Sequence, residues 1–136
     1  MTILGLGGLL DDAACAVMKN GEVKAAIEEA KLTRSFRPGT LPEASLNECL
    51  RIAGEKREDV EAIALVRPFA HSAEPDFHLE LRDEFPQAEI VVVEHHQAHA
   101  ASAFFASPFE EAAVLTLDHS GDFRCGARWS VRADDP

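Results

Sequence analysis

The sequence predicts an α/β domain, on three observations. Short apolar runs open the chain close together, strand-like and helix-like segments then alternate, and Gly, Pro and Asn fall at the joints between them. Residues 2 to 7 and 13 to 18 read as strands around a Gly-rich turn, and Asn20-Gly21 is a hairpin signal leading into a third strand at residues 23 to 27. After a loop over residues 35 to 41, Pro42 begins a helix in which Ala44, Leu46, Leu50, Ile52 and Ala53 keep mostly to one side and Gly54 forms the cap. Residues 60 to 66 read as a short buried strand, 77 to 85 as a helix and 90 to 93 as a strand. Residues 98 to 106 read as a helix ended by Pro108. Residues 113 to 117 and 127 to 131 are then expected to return to the sheet.

Three antiparallel strands followed by alternating helix and strand is the ribonuclease-H-like plan, with a mixed sheet and short right-handed crossovers. No internal repeat, low-complexity tract or interdomain linker interrupts it, so residues 1–136 read as one subdomain whose final residues 132 to 136 look like a cut or frayed end. The chain is 46% hydrophobic, enough for a core without disulfides or metals at this length. Its net charge of −11, from 24 acidic and 13 basic residues, opposes attraction to nucleic acid or an anionic membrane, and neither is an expected partner. No run approaches the roughly 20 apolar residues needed to cross a bilayer. The apolar start has no cationic residues before it and is cut by Asp11-Asp12, unlike a signal peptide. Cys15, Cys49 and Cys125 are widely spaced, odd in number and without any CxxC, which argues against a zinc ribbon or a secreted disulfide framework, fits a reducing cytoplasm and reads as small apolar residues in or near a core.

The segment from Val91 to Phe104 places His95, His96 and His99 where an apolar strand gives way to an Ala-rich helix. Residues four apart share a helix face, so His95 and His99 can aim ring nitrogens at one point. Nineteen residues after His99, a second apolar run ends in Asp118-His119-Ser120-Gly121-Asp122. Strand carboxyl ends form the ligand crevice of open α/β sheets, so Asp118 can complete a mixed nitrogen and oxygen site. That donor set suits iron, manganese or zinc better than calcium or copper.

The string from Val93 to Phe104, followed by Ser107 to Asp118, resembles the O-carbamoyltransferases of nodulation-factor and antibiotic tailoring. Upstream, Ile3-Leu4-Gly5, Asp12-Ala13-Ala14, Gly21-Glu22-Val23, Glu28-Glu29, Leu32-Thr33-Arg34 and Pro42 fall in that family's order. The resemblance implies half of an actin-like ATPase fold, in an enzyme that moves the carbamoyl group of carbamoyl phosphate, through an ATP-derived carbamoyl-adenylate, to the hydroxyl of a small-molecule or sugar acceptor. It implies that the chain is an N-terminal piece, inactive alone, preceding the second half of the actin-like domain and an adenylate-forming domain. It further implies that His95, His99 and Asp118 bind a divalent, iron-type metal, that Asp12 and His99 are catalytic, and that Asp12, Ser120 and Gly121 face the nucleotide or acyl phosphate. A homo-oligomer is compatible with it. Three departures stand out: the family's first-turn histidine is Asp11, its Glu-Glu-Glu-Arg-Phe-Thr-Arg is Glu28-Glu29-Ala30-Lys31-Leu32-Thr33-Arg34, and its glycine after the metal aspartate is His119, whose ring can itself bind metal. Two other functions fit the same residues: a noncatalytic actin-like binding or assembly module, and a relative of the tRNA-threonylcarbamoylating proteins.

Competing motifs carry less. Gly5-Leu6-Gly7-Gly8 lacks the third glycine of a dinucleotide fingerprint and runs into two aspartates, which reads as a strand-to-strand turn. Ser102 and Ser120 have no nucleophile elbow around them, and Ser102 reads as a small helix residue. Asp122 is either a second carboxylate or a turn residue. Of Glu28 and Glu29, one is expected to be solvated and one functional, and Arg34 is either a phosphate clamp or a surface residue.

Overall fold

The computed structural model describes residues 1–35, 38–67, 73–121 and 123–134, with side chains at 73–75 and 120 excepted. It contains two compact units, Met1–Val92 and Val93–Pro136. The first is built on a five-stranded sheet in the order β3-β2-β1-β4-β5, with β1 Thr2–Gly7, β2 Ala14–Lys19, β3 Glu22–Glu28, β4 Ala62–Val66 and β5 Glu89–Val93. The first three strands are an antiparallel meander, and β4 joins β1 in parallel, which is the ribonuclease-H-like order. At the β2–β3 hairpin both Asn20 and Gly21 have positive φ, as the Asn-Gly signal requires.

Alternation along the strands places the core. Leu4 and Leu6 pair with Val17 and Cys15 on one side and with Ile63 and Leu65 on the other, so all six point to one face, and all are buried. That face is covered by Leu46, Cys49 and Leu50 of α2 (Glu43–Ala53) and by Phe77 and Leu81 of α3 (Ala73–Glu84), with Phe85 just beyond it. Burying a side chain of this size contributes about 1.5–3 kcal/mol. Gly54 in a left-handed conformation closes α2, as the sequence indicates. The two expected core cysteines of this unit are in the core, and the Cys49 thiol donates to the Cys15 carbonyl at 3.3 Å. Burial pushes the Cys15 thiol far above its ordinary pKa, so it is packing rather than nucleophile. Cys125 departs from the core expectation and is exposed.

Two elements are additional to the expected series, a single 3-10 turn at Arg57–Asp59 and a short helix before α2. Residues Glu29–Thr33 form a five-residue helix, α1, ended by Arg34 with φ of 53°. It has no buried residue, hence no apolar periodicity by which to announce itself. It holds Glu29 so that its two carboxylate oxygens accept the Ala44 and Ser45 N–H groups at 3.1 and 2.7 Å. Glu29 therefore caps α2 from outside that helix, satisfying donors with no intrahelical partner and complementing the helix dipole. Glu28 is exposed and pairs with Lys31, and Arg34 is exposed at its cap.

The second unit consists of α4 (His95–Phe105) and a hairpin of β6 (Glu111–Gly121) and β7 (Arg124–Arg132). Helix α4 starts three residues earlier than expected, because Glu94 is extended and its carbonyl accepts the Ala98 N–H at 2.9 Å. His96, Ala100 and Phe104 recur every fourth residue and form its buried face. The expectation that β6 and β7 return to the main sheet is not met: they pair with each other in a separate two-stranded sheet. The apolar run 112–117 reads like a strand buried on both faces, yet Leu115 and Leu117 are 67% and 78% exposed, and only Thr116 of this stretch is buried. Trp129, opposite Val114, is half-buried, and its indole N–H has no acceptor among the described residues. No helix of the described residues is long and apolar enough to cross a membrane.

Candidate metal centre

The site is contained in the second unit. His95 is the first residue of α4, His99 follows one turn later, and Asp118 lies near the end of β6. The i,i+4 spacing puts the two imidazoles on one side of the helix, edge to face, with ring centroids 4.6 Å apart. His95 Nε2 lies 2.7 Å from Asp118 Oδ2, His99 Nε2 lies 3.4 Å from that same oxygen, and the two Nε2 atoms are 3.1 Å apart. Among the described residues these three form a set whose donor atoms all lie within 4.8 Å of one another.

Such a triangle has the dimensions of one face of a coordination shell. Metal bonds of about 2.0–2.2 Å to imidazole and carboxylate put adjacent donors about 3 Å apart. Protons alone serve the triangle poorly. A neutral ring nitrogen carries either a hydrogen or a lone pair, so no choice of tautomers makes all three short contacts favourable at once. A shared cation accepts all three lone pairs, so the donor set fits a divalent transition metal. The side chains are 26%, 53% and 36% exposed for His95, His99 and Asp118, leaving the centre open to an incoming ion or substrate.

Electrostatics favour the ionised carboxylate. The hydrogen bond to His95, followed by the His119 backbone N–H at 2.6 Å on Oδ1, holds the Asp118 carboxyl down at about 2. Asp118 thus stays ionised below the usual carboxylate range. His119 supplies that backbone donor, and its ring is not among the converging donors.

The third imidazole has a different task. His96 is fully buried, with Nδ1 3.0 Å from Thr116 Oγ1 and Nε2 3.0 Å from the Arg124 carbonyl. The carbonyl can only accept, so Nε2 carries the proton and Nδ1 accepts from the threonine hydroxyl. His96 therefore ties α4 to both strands of the hairpin, and Arg124 adds an ion pair to Glu94 at 2.5 Å. These contacts fix the register between the helix bearing the two imidazoles and the strand bearing the carboxylate. Sequence reasoning grouped His96 with its neighbours and missed this role; its one signal is membership of the apolar i,i+4 face with Ala100 and Phe104.

Of the other expected site residues, Asp12 belongs to the first unit, exposed on the β1–β2 turn. That turn depends on Gly8, whose φ is 65° and where a Cβ would come within 2.4 Å of the Asp12 carbonyl oxygen. Gly121 is buried against the His95 ring. Ser120 lies in β6 with its side chain outside the described set, and Asp122 is outside the described residues altogether. The Ser102 hydroxyl donates to the His99 carbonyl at 2.9 Å, an ordinary helical contact.

Comparison with known proteins places the chain in a family. Residues 73–135, which include all three donors, match the family described as carbamoyltransferase N-terminus. The chain is 34% identical to the nodulation protein NolNO of Sinorhizobium fredii over 86% of its own length and 21% of that protein. It is 32% identical to protein sll1178 of Synechocystis over 94% of its length and 27% of that protein. It thus spans about a quarter of the curated relatives it matches. In fold it is similar to YeaZ from Pseudomonas aeruginosa, with a TM-score of 0.54 over 98% of this chain and 68% of that one at 14% identity. The chain belongs to the carbamoyltransferase family, corresponding to the N-terminal part of its members.

Proposed function

We propose that this chain is the metal-holding N-terminal part of an ATP-dependent O-carbamoyltransferase, which moves a carbamoyl group from carbamoyl phosphate, by way of a carbamoyl-adenylate, to the hydroxyl of a small-molecule or sugar acceptor. The observation that carries this reading is the convergence of His95, His99 and Asp118 in a chain of that family. His95, His99 and Asp118 hold the metal, and its identity as iron rests on the resemblance. When bound, the metal supplies Lewis-acid polarisation of phosphate or carbamoyl oxygens and a template for the acceptor. The chain's own groups do the holding and orienting: the Asp118 carboxylate stays ionised, His96 fixes the two elements in register, and the open side of the triangle leaves room for substrate oxygens.

Asp12, Ser120 and Gly121 are the proposed contacts to the nucleotide or acyl phosphate, with Asp12 and His99 the proposed catalytic residues. A cytoplasmic setting is supported by the three free cysteines. The excess of acidic residues supports partners other than nucleic acid or membrane, and a homo-oligomer is compatible with the reading.

The test is His99→Ala in the full-length protein, with bound metal and carbamoyl transfer measured together. Loss of a direct ligand is expected to weaken metal binding by more than the roughly 10- to 100-fold usual for an outer-sphere partner, and to abolish transfer, while the fold persists because His99 is exposed. Retained metal with retained turnover rejects the assignment.

A further inference from the structure

One contact in this unit is not accounted for by ligand chemistry. Gly121, the last residue of β6, is buried, and a Cβ built on it would lie 2.1 Å from His95 Cδ2, 2.6 Å from Cγ and 2.8 Å from Nε2. All three atoms belong to the imidazole, so the ring lies flush on the Gly121 backbone. Rotating the ring about its Cβ–Cγ bond leaves Cγ in place and does not relieve the overlap. Relief requires a different χ1 rotamer, and that swings Nε2 away from both Asp118 Oδ2 and His99 Nε2. The backbone itself makes no demand for glycine, since Gly121 has no positive φ, in contrast to Gly8. The requirement at 121 is space.

We propose that Gly121 is the positioning residue for His95: the absence of a side chain at the end of β6 is the socket that seats the imidazole, and it selects the rotamer that closes the triangle with His99 and Asp118. The consequence for metal rests on the metal reading above; the seating of the ring does not. The strand that supplies the carboxylate thereby also dictates where the first helical nitrogen sits. One short stretch of β6, Asp118 to Gly121, then sets two corners of the triangle, and His99 is placed by the helix. A bulkier residue at 121 leaves all three ligands in the sequence and dismantles their geometry.

The experiment is Gly121→Ala in the full chain, alone and combined with His95→Ala, read by long-range proton–nitrogen spectra of the histidine rings without metal and by Co(II) titration. In the metal-free single variant, the His95 Nε2 resonance is expected to move while the buried His96 signals stay, showing a changed rotamer in a folded unit. Co(II) affinity is expected to fall more than about 100-fold, beyond the range of an outer-sphere partner. In the His95→Ala background the same substitution is expected to change neither Tm nor residual Co(II) affinity, because the three atoms nearest the added methyl group all belong to the ring that is removed. An unmoved His95 resonance in folded Gly121→Ala overturns the proposal, as does an equal loss in both backgrounds. Should Gly121→Ala fail to fold, the proposal requires the double variant to fold, and an unfolded double variant overturns it. If the wild-type chain takes no Co(II), the metal reading falls, and the ring spectra still decide the seating.

Discussion

The two units are held together by opposite means. In Met1–Val92 a continuous apolar cluster runs from Leu4 to Ala88, with the polar network of Glu29 and the α2 N-terminus at its rim. In Val93–Pro136 the buried apolar side chains among the described residues are Ala100 and Phe104, and they share the interior with the polar His96 and Thr116. The first unit is stabilised by area removed from water, the second by a few directional bonds that also fix the candidate metal centre. Damage to the first should therefore be paid in stability alone, whereas damage to the second should alter stability and ligand geometry together.

The sharpest way to break this contrast is at the centre of the first unit. Phe85 is fully buried, and Phe85→Ala is expected to cost about 3–5 kcal/mol in denaturant unfolding, from lost transfer energy and the cavity left behind. A cost below about 1 kcal/mol would show that the apolar cluster is not what holds this unit. Next in size is His96→Ala, expected to cost about 2–3 kcal/mol by emptying a buried site and leaving the Arg124 carbonyl without its imidazole donor, while the Thr116 hydroxyl keeps Ala127 as partner. Unlike Phe85→Ala, it should also weaken metal binding although His96 is not a donor, measurable by Co(II) titration of the folded fraction; stability lost with affinity intact would separate clamp from site.

The smallest effect is electrostatic. Asp118 has its pKa depressed from 3.8 to about 2 in the folded chain, so its contribution is present in full above the ordinary value and is lost as pH falls through the folded one. Between about pH 5 and pH 2 the Tm of the wild type should fall slightly more steeply than that of Asp118→Asn, and the curves should converge at the acid end. Solvent exposure keeps this difference small. Parallel curves throughout would remove the His95–Asp118 bond from the description of the metal-free protein.

Much of this architecture was legible in the amino-acid order. Alternation over Thr2–Gly7 and Ala14–Lys19, the Asn20-Gly21 turn and the Gly54 cap each use local chemistry that survives folding unchanged. The His95 and His99 pairing was legible because helical spacing is a fixed geometry, and Asp118 because strand ends gather ligands. What stayed hidden depends on distant residues. Glu29 serves a helix that begins fourteen positions later, and nothing in Glu-Ala-Lys-Leu-Thr announces it. The run at 112–117 has the composition of a buried strand, but its Leu115 and Leu117 face solvent because exposure is set by what packs on a strand. Gly121 entered only through the family resemblance, as a contact to the nucleotide or acyl phosphate, and nothing in the sequence announces the ring that rests on it.

The indole at Trp129 is the single tryptophan of a chain that has no tyrosine. It sits on β7 opposite Val114, within the unit that carries the three candidate metal donors. Emission excited near the red edge of protein absorbance therefore comes from this unit alone, whereas backbone circular dichroism is dominated by the larger one. Two optical signals from an unlabelled sample thus follow the two units separately. Coincident melting curves would mean that they unfold as one cooperative body, and separated curves would give each its own midpoint.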